Sequence, residues 1–205
     1  MKTKHIAIAV VSALVGVAVT LLTLILLQKR SVSRFVHLLP KERYHDLVKE
    51  FGEPSILVNQ EGGLAIWHHP AFYTQIVLKD ESIEHDKPKP HCDFLYATVN
   101  VVVPFELVPL LLEISDSINY DNLKKELTAR CHFMGANVAT LWLAMRTLQD
   151  PANADEYRSA YGPTIMATMD PVVYKQMVSE LAQMVQQNQQ ANASQLPNRN
   201  CFIKA

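Results

Sequence analysis

Histidine and cysteine, the side chains best suited to binding a metal, lie close together at two places in this chain. His85, His91 and Cys92 border a proline-containing loop, and Cys131 adjoins His132. Zinc sites usually draw on closely spaced pairs of such residues, and the sequence contains no C-x-x-C pair. We therefore predict ordinary surface or half-buried histidines, with no metal and no cofactor. A site built from His85, His91 and His132 in three dimensions stays open as the alternative.

No other pattern predicts catalysis. An acidic cluster with lysines nearby lies in one loop, which we expect to be solvated. Such a loop offers no apolar enclosure that would shift the pKa of a carboxylate. The members of the cluster are Asp80, Glu81, Glu84 and Asp86. The sequence lacks the G-x-S-x-G, Walker A and G-x-G-x-x-G motifs. We expect a protein that is not an enzyme and has no catalytic residue.

The net charge argues against a nucleic-acid binder, and the cysteine content argues against a disulfide-stabilised protein. The net charge is -1 and the sequence pI is about 6.7, whereas nucleic-acid binders usually present a strongly basic surface. We predict no nucleic acid as partner. Three widely spaced cysteines form no disulfide framework, which favours free thiols in a reducing compartment.

The segment 6–27 is uncharged and strongly apolar. At about 1.5 Å per residue a helix of this length spans about 33 Å, enough for a bilayer core of about 30 Å. We expect a retained transmembrane helix, with the lipid bilayer as partner and a single-pass membrane localisation. Lys29 and Arg30 follow the segment, so the positive-inside bias puts the remaining chain on the cytoplasmic side.

The predicted fold class is α+β. An N-terminal transmembrane helix precedes a small antiparallel sheet of about four strands, with a helix before the sheet and long helices after it. Four stretches predict the strands through β-branched and aromatic residues: "SILVN", "LAIWHH", "YTQIVLK" and "DFLYATVNVVV". The predicted organisation is a basic N-terminus at 1–5, the transmembrane helix at 6–27, a juxtamembrane stalk at 28–39, an α+β domain at 40–150, a C-terminal loop and helix at 151–187, and a polar tail at 188–205.

Residues 121–148 predict one long helix that begins at Asp121 as N-cap. Its apolar residues alternate steps of four and three; they are Leu127, Cys131, Met134, Val138, Leu141, Met145 and Leu148. This heptad seam indicates either an amphipathic helix packed on its own sheet or an oligomer formed through the seam.

Two stretches carry a family resemblance: "FGEPSILVNQEGGLAIW" with "HCDFLYATVNVVVP", and "SINYDNLKKELTARCHFMGANVATLWLAM". Over about residues 44–148 the chain resembles uncharacterised single-span membrane proteins of large algal DNA viruses of the chlorovirus type. The resemblance implies a minor capsid-associated protein of the virion, which links the internal membrane to the capsid shell and has capsid or other virion proteins as partners. The alternative is a membrane-tethered assembly factor or host-interaction protein that is not retained in the virion.

Large aromatic side chains are the candidate contact residues for such partners, because aromatic residues are enriched at the centres of protein interfaces. Each of them also suits a core position. The candidates are Trp67, Tyr73, Tyr96, Trp142, Tyr157 and Tyr161.

Overall fold

The computed structural model describes residues 38–58, 63–85 and 91–196. They form an α+β fold in which helices cover one face of a six-stranded antiparallel sheet. The strand order is β1-β2-β3-β4-β6-β5. The strands are β1 (Ile56–Val58), β2 (Leu64–His68), β3 (Gln75–His85), β4 (His91–Asn100), β5 (Ile118–Asp121) and β6 (Glu126–Cys131).

Helix α1 (Leu38–Phe51) precedes the sheet, and the other helices follow it. They are α2 (Val108–Leu112), α3 (Met134–Gln149), α4 (Ala154–Ser159), α5 (Tyr161–Ala167) and α6 (Pro171–Ala191), with short 3-10 turns at Phe105–Leu107, Pro151–Asn153 and Ala193–Gln195. Asp170 is the N-cap of α6, since its side chain accepts a hydrogen bond from the Val172 amide at 2.8 Å. This helix runs four residues into the predicted tail.

The end of α1 follows from Gly52. Its φ of 79° is the left-handed conformation that ends helices, and its amide donates to the Val48 carbonyl at 2.9 Å. The Gly52 carbonyl accepts from the Trp67 indole at 2.8 Å. This bond ties α1 to β2 and satisfies the polar atom of a buried aromatic residue.

The core lies between the sheet and α3. Successive residues of each strand alternate between the two faces of the sheet, and residues in register on neighbouring strands share a face. The covered face carries a row formed by Leu78, Leu95 and Cys131. Helix α3 is buried on most of its surface, because β4 and β6 contact one side and α6 contacts the other. The side-chain amide of Asn137 donates a hydrogen bond to the Leu95 carbonyl at 3.1 Å, which fixes α3 on β4.

The prediction of about four strands and one long helix at 121–148 is wrong. The first part of that stretch forms β5 and β6, and the helix starts only at Met134. The heptad seam therefore does not exist as one helical face, because Leu127 and Cys131 lie on a strand. In β6 the side chains alternate between half-buried and buried, the period of two that a strand requires.

Asp121 does bond to nearby backbone amides, but in a turn. Its Oδ1 accepts from Leu123 and Lys124, both at 3.0 Å, in the loop that joins β5 to β6. Aspartate stabilises hairpin turns and helix starts with the same local bonds. Pairing of β6 with the long strand β4 decides between the two.

The predicted transmembrane helix at 6–27 lies outside the described residues, as do residues 28–37 of the stalk predicted at 28–39 and residues 197–205 of the tail predicted at 188–205. Among the residues that are described, none belongs to a helix both long and apolar enough to cross a bilayer. On this finding the transmembrane element of the fold class and the single-pass membrane localisation are wrong as far as the described residues go.

Candidate functional site

Two elements of the fold bring histidine and cysteine together at one corner of the sheet. His91 is the first residue of β4, Cys131 is the last residue of β6, and His132 follows it just before α3. Register places Leu95 opposite Cys131, and His91 lies four residues before Leu95 on the same strand face. The end of β6 and the start of β4 therefore meet under the beginning of α3.

The polar atoms of these three residues converge. The Cys131 sulfur lies 3.6 Å from His91 Nε2 and 3.4 Å from His132 Nδ1. One ligand atom from each of the three residues lies within 4.8 Å of the other two. The imidazole rings of the two histidines meet nearly edge to face, with 4.7 Å between their centroids. We call these three residues the corner cluster.

A buried carboxylate borders the corner cluster. Asp93 lies two residues after His91 on the same strand face, and its side chain is fully buried. Its Oδ1 is 3.1 Å from His91 Nε2, and its Oδ2 accepts from Arg130 Nε at 3.3 Å. Arg130 also donates to the Asp116 carbonyl at 3.1 Å. A charged group that is buried away from water destabilises the fold unless partners of this kind compensate its charge.

Burial decides the protonation of the corner cluster. It raises the pKa of the Cys131 thiol to about 11, so the sulfur carries its proton at neutral pH. Burial, with smaller contributions from His91 and Arg43, lowers the pKa of His132 to about 4 and keeps that imidazole neutral. A protonated, buried thiol is a poor nucleophile, whereas a neutral imidazole has a lone pair available for a metal.

The structure brings together two of the three histidines that the sequence offered for a metal, and it adds Cys131. Sequence reasoning missed that cysteine because it assigned residue 131 to a helix. His85 pairs with His91 in backbone register, but only its backbone belongs to the described residues. Cys92 is exposed and Cys131 is buried, both as free thiols. Cys201 lies outside the described residues.

The predicted aromatic contact residues are divided between core and surface. Trp67 and Tyr73 are buried in the core. The other four are half-buried, and three of these pack against the core from its rim: Trp142, Tyr157 and Tyr161. Tyr96 lies on the opposite face of the sheet, with the Lys79 ammonium 4.7 Å from its ring centre.

Exposed aliphatic side chains occur where the sequence analysis did not look for contacts. Ile56 and Val58 on β1 are 43% and 37% exposed. β1 ends the sheet and pairs only with β2 within it. Their exposure follows from this edge position, which the alternation of residue types within β1 does not reveal.

A separate cavity of about 260 Å³ lies between α1, the start of α3 and the start of α6, and Arg43, Glu50 and Tyr174 are among its lining residues. The Tyr174 hydroxyl donates to Glu50 Oε1 at 3.0 Å. Burial raises the pKa of Glu50. The cavity carries both signs of charge, so its electrostatics favour neither an anion nor a cation.

Comparisons with known proteins identify no relative. No family model matches the chain, and neither the curated proteins nor the solved structures contain a significant match. The resemblance to viral proteins therefore stays a prediction.

Proposed function

We propose that this chain is a non-enzymatic structural protein that binds another protein at the β1 edge of its sheet, beyond which the described residues place no further strand. Following the sequence resemblance, its setting is the particle of a large DNA virus, where it is a minor capsid-associated component. The observation that carries the proposal is the pair of exposed aliphatic side chains, Ile56 and Val58, on terminal strand β1.

An edge strand offers unpaired backbone groups to another chain. Extended segments of partner proteins bind in this way, with backbone hydrogen bonds for affinity and alternate side chains for specificity. β1 contains only three residues, so an added strand gains few backbone bonds. Most of the binding must then come from apolar side-chain contacts.

The sheet face on which Ile56 lies supplies such contacts. Ile56 is in register with Ile66, Ile66 with Val77, and Val77 with Tyr96, so these four side chains form a row across four strands. The three inner members are half-buried. A partner strand beside β1 would extend this row by one position, so we expect the partner to be an extended segment with alternating apolar side chains from another protein of the particle.

Photo-crosslinking in assembled particles tests this proposal. A photoreactive phenylalanine analogue at position 58 should crosslink to another particle protein. The matched control is position 123, since Leu123 is 92% exposed on the turn between β5 and β6 and is equally apolar. Equal crosslinking from both positions, or crosslinks only between copies of this chain, would contradict the proposed contact.

Mass spectrometry of purified particles tests the setting. Presence of the chain in the particles supports a structural component. Presence in infected cells together with absence from particles would reject that role and favour the assembly-factor or host-interaction alternative.

A further inference from the structure

We infer that the corner cluster is a metal site: His91, Cys131 and His132 bind one zinc ion, next to the buried carboxylate of Asp93. This site is independent of the protein contact proposed at β1. It lies on β4 and β6, which β2 and β3 separate from β1 in the strand order, and it uses none of the same residues.

Two of the three separations between ligand atoms, those from sulfur to nitrogen, are those of a zinc tetrahedron. Zinc lies about 2.3 Å from sulfur and about 2.0–2.1 Å from nitrogen, so a tetrahedral angle places sulfur and nitrogen about 3.6 Å apart. The two sulfur–nitrogen distances in the corner cluster are 3.6 and 3.4 Å. The two nitrogens lie within 4.8 Å of each other, and this edge would have to shorten to about 3.4 Å on binding.

The backbone around the site fixes the ligands. His91 and Cys131 belong to strands β4 and β6, which pair directly from Leu95 onward. The carbonyl of His132 accepts from Arg43 Nε at 3.2 Å, so α1 holds the segment that carries the third ligand. Ligands on regular elements of secondary structure are held more precisely than ligands on loops.

Asp93 adds a buried negative charge next to the three ligands. Its Oδ1 lies 3.1 Å from His91 Nε2, and a carboxylate this close attracts a bound cation. Arg130 holds the other carboxylate oxygen, which keeps the carboxylate in place beside the ligands.

Binding replaces a proton with zinc at the sulfur. As the zinc–sulfur bond forms, the S–H bond of Cys131 breaks and its proton passes to solvent, because a coordinating thiol is deprotonated. The thiolate and the nearby Asp93 carboxylate then both attract the ion. A set of two nitrogens and one sulfur suits zinc better than magnesium or calcium, which prefer oxygen alone.

Cobalt substitution tests this site on the full-length chain. After removal of metals with EDTA, one equivalent of Co²⁺ should produce a thiolate-to-cobalt charge-transfer band and the strong visible bands of tetrahedral coordination. Zn²⁺ should then displace the cobalt and raise the melting temperature. A hydrogen-bonded cluster without a metal would give no charge-transfer band and no zinc-dependent shift, and this result would overturn the inference.

Variants assign the ligands. Cys131→Ser should abolish the charge-transfer band, whereas Cys92→Ser should leave it unchanged, because Cys92 is exposed and next to His91 in sequence but outside the corner cluster. The isosteric Asp93→Asn should lower zinc affinity by about tenfold or more. Retention of the band in Cys131→Ser, or its loss in Cys92→Ser, would contradict the assignment. The wild-type measurements decide the question even where a variant fails to fold.

Discussion

The corner cluster and the β1 edge depart from the ordinary distribution of residues in opposite directions. The corner places a buried thiol and two half-buried imidazoles beside a buried carboxylate, while the edge exposes two aliphatic side chains to solvent. Scattered exposed apolar residues are normal, but buried polar groups and contiguous exposed apolar residues are informative. Both regions are therefore candidates for function, and they predict different ligands.

The two regions also differ in how strongly the fold depends on them. Asp93 is a buried charge with two partners, so removal of a partner leaves it without compensation. Ile56 and Val58 lose little by substitution because water already reaches them. The comparison teaches that a site inside the core is coupled to stability, whereas an edge site can change almost independently of it.

The largest expected effect is at Arg130. In the metal-free protein Arg130→Met should lower the free energy of unfolding by about 3 kcal/mol or somewhat less, because Arg130 itself is 31% exposed. Urea unfolding in EDTA measures this change. The double variant Arg130→Met, Asp93→Asn should recover most of the loss, since no buried charge then remains. Equal instability of the single and double variants would show that packing of the arginine matters, not the charge of Asp93.

Packing beside the corner cluster is tested at Gly135, the second residue of α3. A Cβ there would lie 2.6 Å from Thr168 Oγ1 and 2.9 Å from a Phe133 ring atom. Gly135→Ala should therefore destabilise the protein by about 1–3 kcal/mol, as measured by thermal or urea unfolding. Gly162 in α5 is the matched control, since a Cβ there meets nothing within 4 Å.

Gly162→Ala should stabilise the protein by about 0.5–1 kcal/mol, because alanine is the better helix former and no neighbour opposes it. If Gly135→Ala stabilises the protein as Gly162→Ala does, the corner is not tightly packed and the comparison with the β1 edge weakens.

At the β1 edge the double substitution Ile56→Lys, Val58→Lys should change the free energy of unfolding by no more than about 0.5 kcal/mol per site. It should nevertheless prevent strand addition, because lysine on an edge opposes pairing with another chain. Urea unfolding and binding of the particle partner measure the two effects separately. A large loss of stability would mean that the edge belongs to the core.

The smallest effect is expected at Glu50, a carboxylate in the wall of the cavity between α1, α3 and α6 that is less enclosed than Asp93. Burial raises its pKa, so the folded protein binds the proton more readily than the unfolded chain does. Its contribution to stability is therefore most favourable at low pH and is lost as pH rises past the usual range of a glutamate.

Glu50→Gln removes this dependence and keeps an oxygen for the Tyr174 hydroxyl. At neutral pH we expect the variant to match or exceed the wild type by no more than about 0.5 kcal/mol, measured by urea unfolding at pH 4 and pH 7. A variant that is clearly less stable at pH 7 would contradict the sign of the shift.

Much of the sheet was predictable from the sequence. Runs of β-branched and aromatic residues identified β1 to β4, and residue types such as Gly52 at the end of α1 and Asp170 at the start of α6 are local signals of the same kind. These signals are local, because backbone conformation at a glycine or an N-cap depends on its own side chain. The identity of His91 and His132 as candidate ligands also came from residue type alone.

The tertiary structure alone decided the rest. Residues 121–131 satisfy a helical seam as well as a strand alternation, and only pairing with β4 makes them strands. That pairing carries Cys131 across the sheet to His91, 40 positions earlier in the chain. It also leaves β1 at an edge with Ile56 exposed. Composition and local propensity determine which segments form, but long-range hydrogen bonding and burial determine which segments meet, and in this protein both candidate sites arise from those meetings.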